Sequence, residues 1–257
     1  MYSGLLQLQD KDVDYLNKGT PDNHGVKVVM GPGTGHGQGF LVKSKFSKCY
    51  EVFPSEGGHV EFSPRSDLDM RLVHHAYKFI ETSDNVENKR AKAKIDRISH
   101  ERLGAGPAIP LIYDFFKQEN PNLERILESG PNKKAADDIS SHDVINAFNE
   151  KNDPLCRMVV EKFSEIFTVQ AGDTALKLMP SGGLYLIGGV TNGIRNHMMQ
   201  DKAWMDIFNS KGRLSHVMHR TPVMIVKSDV ELGILGAEEV AYRLSGSFSK
   251  DELMEHF

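Results

Sequence analysis

The sequence predicts an α/β fold in which an antiparallel meander is followed by parallel strand-helix units, forming a mixed sheet with helices packed on it. Three observations carry this. Residues 26–30, 38–42 and 49–53 are β-type runs separated by a glycine-dense turn and a polar turn, the pattern of a meander. Residues 154–179 place Leu155, Met158, Val159, Phe163, Ile166, Phe167, Ala171, Ala175 and Leu178 at steps of mostly three and four, which marks a long core helix. Residues 184–187 and 223–226 are short apolar strands, each leading toward a helical segment, as in parallel β-α units.

The remaining elements follow in order. Residues 66–81 set Leu68, Leu72, His75, Ala76 and Phe79 at helical spacing, and residues 82–97, rich in Lys, Glu, Asn and Arg, read as a solvated surface. Pro107 opens an apolar run at 109–116 that suits a helix entered through a proline near its first turn. Residues 117–141 turn polar, with Pro121, Gly130 and Pro131 marking an excursion. The strand at 184–187 lies between two Gly-Gly pairs, and a new segment opens at Thr191-Asn192-Gly193. A final helix is expected from Glu231 to about Leu244. A K-D-E-L string at 250–253 has four residues after it, so it reads as helix surface and not as a C-terminal retention address. No internal repeat or low-complexity tract is visible.

Composition bounds the function classes. A chain of 257 residues suits one large domain, or a large domain with a small appendage. Its 31 Lys and Arg against 35 Asp and Glu give a net charge of −4 with no separate basic block, which argues against a nucleic-acid partner. The two cysteines, Cys49 and Cys156, cannot build a disulfide framework or a Cys-rich zinc site, so a reducing cytoplasm is the expected compartment. The longest apolar runs fall far short of the roughly 20 residues of a membrane helix, and the N-terminus lacks a signal pattern. No membrane association is expected.

Three constellations could carry chemistry. The densest is Gly31-Pro32-Gly33-Thr34-Gly35-His36-Gly37-Gln38-Gly39, where backbone N–H groups can approach phosphate oxygens without interference from Cβ and Thr34 can add a hydroxyl donor. It is neither a dinucleotide fingerprint nor a Walker loop: no frame of the glycines fits G-x-G-x-x-G, and no G-K-[ST] occurs. The plainer alternative is a hairpin whose glycines only supply positive φ.

The second is Ser55-Glu56-Gly57-Gly58-His59-Val60-Glu61. Two glycines between a carboxylate and an imidazole permit a tight turn suited to gripping polyol hydroxyls. A turn of solvated polar residues is the alternative, and the P-C-x-x-C partner that a zinc deaminase would need is absent. Glu101, in Glu101-Arg102-Leu103-Gly104-Ala105-Gly106-Pro107, looks on its own like a surface carboxylate with Arg102 as a partner. The third constellation pairs Gly188-Gly189 with Gly233-Ile234-Leu235-Gly236-Ala237, two glycine-marked strand-to-helix junctions that could face one ligand or be packing glycines.

Taken in order, these pieces resemble the bacterial-type glucokinase family of the sugar-kinase, heat-shock-protein and actin superfold. Gly31 to Gly37 resembles its second phosphate loop, Glu56-Gly57-Gly58-His59-Val60-Glu61-Phe62 its E-G-G-H-V-[DE]-F sugar segment, and Glu101 to Pro107 its E-R-x-x-[SA]-G-P segment. Gly188-Gly189-Val190 and Leu235-Gly236-Ala237 match its adenosine-side motifs. The related repressor and open-reading-frame sugar kinases add a cysteine-rich zinc motif that two cysteines cannot supply. The resemblance implies a ribonuclease H-like mixed sheet, the large domain of an actin-like sugar kinase. Residues 26–257 would form that domain and residues 1–25 a remnant of the inter-domain segment. It also implies ATP with Mg2+ as phosphoryl donor, glucose as acceptor and glucose 6-phosphate as product. Glu56, His59 and Glu101 would bind the sugar, Gly33, Thr34 and Gly35 the phosphates, and Gly188, Gly189 and Gly236 the adenosine; a homodimer is also compatible.

One departure stands beside this. The family's smaller N-terminal domain carries a D-x-G-G-T-[NR] loop and an Asn-Asp pair whose aspartate is the general base, and neither is found in residues 1–257 at the family position. The one Asn-Asp pair, Asn152-Asp153, precedes Pro154 at the start of the long helix. The expectation is therefore a large domain inactive without its small domain, which would act in cis. The alternative is a non-catalytic sugar- or nucleotide-binding paralogue that modulates a full-length kinase.

Overall fold

The computed structural model describes residues 2–45, 49–82, 96–129 and 138–245. Most of the surface expected at 82–97 and the string at 250–253 lie outside the described residues. In chain order the strands are β1 (Val13–Asn17), β2 (Lys27–Pro32), β3 (His36–Lys43), β4 (Tyr50–Ser55), β5 (Gly183–Leu186) and β6 (Val223–Val226). The described helices are α1 (Asp67–Thr82), α2 (His100–Gly104), α3 (Ala108–Glu119), α4 (Ser141–Lys151), α5 (Pro154–Leu178), α6 (Gly189–Gly193), α7 (Arg195–Gln200), α8 (Lys202–Asn209), α9 (Ser215–Met218) and α10 (Leu232–Leu244). These divide into two compact units, one of Met1–Gly31, Gly37–Glu56 and Ala171–Phe257, the other of Pro32–His36 and Gly57–Gln170.

The first unit holds the sheet, in the order β1-β6-β5-β2-β3-β4. The expected meander is there: β3 and β4 are antiparallel, with Phe40 opposite Phe53. The expected parallel units are there too, since β5 runs parallel to both β2 and β6. Val28, Val29 and Met30 are all fully buried, as are Leu184, Leu186, Val223 and Ile225, because the central strands are covered on both faces. On one of those faces Val29, Leu41, Tyr185, Met224 and Val226 cluster with Leu5 and Leu232, and α10 packs against the turn at Tyr2–Gln7. β1, which the periodicity did not disclose, completes the sheet antiparallel to β6, with Val13 opposite Val226.

The second unit is helical. α3 opens directly after Pro107 and buries Ile109, Leu111, Ile112, Phe115 and Phe116. It packs against α1, α2 and α4. α4 begins with a reciprocal cap in which the Ser140 side chain accepts from Asp143 N–H and Asp143 accepts from Ser140 N–H. It ends at Asn152, whose left-handed φ of 52° turns the chain into α5. α5 is the long helix that the spacing predicts, with Leu155, Val159, Phe163, Ile166 and Phe167 buried. Polar Ser164, Thr168 and Gln170 are buried with them, so the helix is enclosed on more than one stripe. Lys162, 6% exposed, is neutralised by Asp69 at 2.6 Å and Glu165 at 2.7 Å.

The Asn152-Asp153 pair has a structural task. Asp153 is fully buried; one carboxylate oxygen caps α5 by accepting from Cys156 N–H at 3.0 Å, and the other accepts from Ile126 N–H at 2.8 Å. Both cysteines are free, Cys156 buried and Cys49 half-buried. Among the described residues no helix is long and apolar enough to cross a membrane.

Candidate functional site

In the second unit the two motifs that carry a histidine and a glutamate are joined edge to edge. Glu61 and Ser99 form an antiparallel bridge, His100 N–H donates to Val60 O at 2.7 Å, and Phe62 N–H donates to Ile98 O at 3.0 Å. The short ladder brings His59, on a single 3-10 turn at Gly57–His59, beside Glu101 in the first turn of α2. His59 Nε2 stands 3.9 Å from Glu101 Oε1. Two further contacts fix the turn: Arg97 Nη1 donates to His59 O at 2.6 Å, and buried Gln170 on α5 donates Nε2–H to Gly57 O at 3.2 Å.

Glu101 is not the bystander that its isolated position allows. Its Oε2 accepts the backbone N–H of His36 at 2.7 Å, so the carboxylate is tied to the end of the glycine loop while Oε1 faces His59. The loop is a tight turn in which Gly33 N–H donates to Gly35 O at 2.7 Å, and it is pinned again where Gly106 N–H donates to Gly33 O at 2.8 Å. Gly33 and Thr34 remain exposed. Carboxylate, imidazole and exposed glycine loop therefore meet within one unit.

The loop glycines are not there to supply positive φ, because none of Gly31, Gly33, Gly35, Gly37 and Gly39 adopts it. Close approach explains several of them instead. A Cβ at Gly35 would lie 2.7 Å from Glu101 Oε2, one at Gly31 would lie 2.2 Å from Ile187 O, and one at Gly58 would lie 2.5 Å from His36 O.

Beneath the loop lies His36, 5% exposed. Its Nδ1 is 3.0 Å from Gly104 O, and its ring meets those of His100 and Phe167 edge-on. Burial lowers its affinity for a proton, against smaller opposing effects from the Gly104 carbonyl and the Glu101 charge, so the imidazole is held toward its neutral form.

Glu56, Gly188, Gly189 and Gly236 belong to the first unit. Glu56 is the exposed residue directly after β4. Gly188 leads into α6 with φ 99° and ψ 165°, a conformation for glycine alone, and a Cβ at Gly189 would meet nothing within 4 Å. Gly236 is buried on α10, and a Cβ on Gly4 would come within 3.0 Å of its N, whereas Gly233 at the start of the same helix faces open space.

A family model described as Glucokinase matches residues 1–244. The chain belongs to the glucokinase family. It is 34% identical over 251 residues to the glucokinase of Nostoc punctiforme, covering 94% of this chain and 68% of that protein. Among solved structures it is similar in fold to a glucokinase from an Antarctic psychrotroph, with TM-score 0.73, 22% identity and coverage of 94% of this chain and 67% of the other. A glucokinase of the ROK family from Streptomyces griseus, solved in complex with glucose and AMPPNP, matches with TM-score 0.57 and 16% identity, covering 86% of this chain and 62% of that one. The glucokinase-family chain thus spans about two thirds of the length of these relatives, and its mixed α/β architecture is that of the actin-like sugar kinases.

Sequence reasoning missed some participants in this glucokinase-family unit. His36 was visible within the glycine run but read only as part of a loop, and Arg97 and Gln170 gave no signal, since a side chain donating to a distant carbonyl leaves no trace in local spacing. Gly58 was legible as a turn residue; the reason for it, the His36 carbonyl, was not.

Proposed function

We propose that this chain is the sugar- and nucleotide-binding part of an ATP-dependent glucokinase, which transfers the γ-phosphoryl group of MgATP to the 6-hydroxyl of glucose in the cytoplasm. The observation that carries the reading is the double engagement of Glu101, with one oxygen tied to the glycine loop and the other turned to His59. An anchored carboxylate beside an exposed imidazole suits sugar hydroxyls, since the carboxylate accepts while the imidazole can donate or accept. Glu56, directly ahead of the same turn, is assigned to the sugar as well. The exposed backbone of Gly33-Thr34-Gly35 is assigned to the phosphates, and Gly188, Gly189 and Gly236 to the adenosine. Open space beyond Gly189 favours a ligand there. Magnesium enters with the nucleotide as part of the MgATP substrate, bridging phosphate oxygens as metals do in phosphoryl transfer.

In the reaction the 6-oxygen forms a bond to the γ-phosphorus, the bond from that phosphorus to the β,γ-bridging oxygen breaks, and a base receives the hydroxyl proton. Asp153 does not suit the base: it is fully buried and both its oxygens are occupied. The reading therefore has residues 1–257 binding ligands without turnover until the family's small domain is supplied. Loss of a general base alone is worth about 10² to 10⁴ in rate.

A coupled assay for glucose 6-phosphate tests this, on residues 1–257 alone and on the same chain fused to the small domain of a family member. The expected result is no product from the first and ATP-dependent product from the second. Robust turnover by residues 1–257 alone would overturn the division of labour. Glucose or nucleotide binding with no turnover in either form would favour a binding paralogue that modulates a full-length kinase.

A further inference from the structure

We propose that His36 is a positioning residue for sugar recognition, holding Glu101 in place by tying the glycine loop to both ends of α2. The inference deepens the reading of Glu101 as a sugar ligand and rests on it. Two bonds leave one residue: the backbone N–H reaches the Glu101 carboxylate at 2.7 Å, and the ring reaches Gly104 O, in the last turn of α2, at 3.0 Å. Because a carbonyl only accepts, Nδ1 must carry the proton and donate. Gly104 is itself buried, so an apolar side chain in place of the imidazole would leave its carbonyl without this donor.

The other nitrogen supplies the second argument. Nε2 is buried and has no hydrogen-bond partner among the described residues. An unpartnered buried nitrogen is unfavourable, and a side chain present only to fill the space would do so better as a hydrocarbon. The imidazole is thus accounted for by its Nδ1 bond. The edge-on rings of His100 and Phe167 hold the plane that aims Nδ1 at Gly104. With the ring anchored, the backbone N–H of residue 36 has one orientation, and Glu101 Oε2 is drawn to it, leaving Oε1 to ligand.

Two variants separate the bond from the bulk. His36→Leu fills the volume without a donor, while His36→Asn places an amide N–H near the position of Nδ1. In residues 1–257 free of ligand, the amide proton of residue 36 is followed by NMR. Its exchange should be at least about tenfold faster in H36L and within about threefold of wild type in H36N. In the chain joined to a family small domain, H36L should raise the glucose KM at least about fivefold and H36N should restore most of it. The double variant H36L/E101Q should be no worse than E101Q alone, since His36 acts through Glu101. Nitrogen shifts of the wild-type ring give a check that needs no variant: they should report a protonated Nδ1 and a bare Nε2. The opposite tautomer, equal damage from H36L and H36N, or additivity with E101Q would each overturn the proposal. If E101Q itself leaves the KM unchanged, the sugar assignment fails, and an amide of residue 36 that still exchanges faster in H36L shows the tether to stand apart from that failure.

Discussion

Glu101 Oε2 occupies the space that a side chain at position 35 would need: a Cβ built on Gly35 would stand 2.7 Å from that oxygen. The obstructing atom is the far end of a flexible side chain, so the carboxylate can yield where a backbone could not. The same cannot be said of Gly58, where a Cβ would stand 2.5 Å from the carbonyl oxygen of His36.

Gly35→Ala and Gly58→Ala should therefore fail in different ways. Gly35→Ala is expected to keep the melting temperature within a few degrees of wild type and to weaken glucose by about tenfold, the loss of one charged hydrogen bond. Gly58→Ala is expected to lower the melting temperature, with a cost of about 1 to 3 kcal/mol as the backbone shifts. Melting curves paired with glucose titrations of the completed enzyme decide it, and wild-type affinity in Gly35→Ala would detach Glu101 from the sugar.

For the carboxylates themselves, hydrogen bonds to charged groups contribute about 1.5 to 3 kcal/mol each. Glu56→Gln and Glu101→Gln in the completed enzyme should each raise the glucose KM by at least about tenfold. Steady-state kinetics at saturating MgATP read this directly. Unchanged KM in both would remove the sugar assignment.

The adjacent glycines 188 and 189 make a contrasting pair. At Gly189 a Cβ meets open space, so Gly189→Val should fold normally and obstruct nucleotide, abolishing the heat of ADP binding in calorimetry. Gly188 has φ 99°, so Gly188→Ala should destabilise the fold by about 1 to 3 kcal/mol whatever it does to nucleotide. Normal ADP binding by Gly189→Val would refute the adenosine assignment. Thr34→Val, which removes one hydroxyl donor, should weaken ATP more than glucose.

Acid stability should show two windows. Burial alone would raise the Asp69 carboxyl, but hydrogen bonds from Lys162 and from Arg65 N–H outweigh it and hold the group below its ordinary value. The unfolded chain then takes up this proton first, so the contribution is whole above the unfolded value of about 3.9 and lost as pH falls through the folded one. Burial likewise lowers His36. Below its unfolded value of about 6.5 the unfolded chain gains a proton that the folded chain resists, so stability declines on acidification from there. Melting temperatures should fall below about pH 6.5, less steeply in H36N, and again below about pH 4, where Asp69→Asn flattens the profile. At neutral pH Asp69→Asn should cost less than the roughly 3 to 5 kcal/mol of a broken buried pair, because Glu165 still faces Lys162. An H36N profile parallel to wild type would remove the histidine from this account.

Much of the architecture was legible because the relevant signals are local. The three-and-four spacing of Leu155, Val159, Phe163, Ile166 and Phe167 declares a buried helix without reference to anything outside it, and those residues are buried. The apolar strands before Gly188 and after Thr221, and the proline that opens α3, are signals of the same kind. β1 escaped because Val-Asp-Tyr-Leu-Asn has one fully buried residue and weak alternation; it is a strand by virtue of β6, which lies at the other end of the chain.

The order and composition of the motifs determined the family, since glycine loop, E-G-G-H-V-E-F and E-R-L-G-A-G-P are each short strings whose chemistry is written in neighbouring residues. Only the tertiary structure decided what Glu101 does. On its own turn of helix it is an ordinary carboxylate; the bridge between Glu61 and Ser99 sets it beside His59, and the amide of His36 takes one of its oxygens. Only the fold, too, separated Asp153 from the role its Asn-Asp string suggests, by spending both its oxygens on backbone N–H groups. The physical reason is one of range. Propensity, periodicity and turn chemistry act over a few residues and survive in the string, whereas a hydrogen bond between residues far apart in sequence exists only once burial and packing have brought its two partners together.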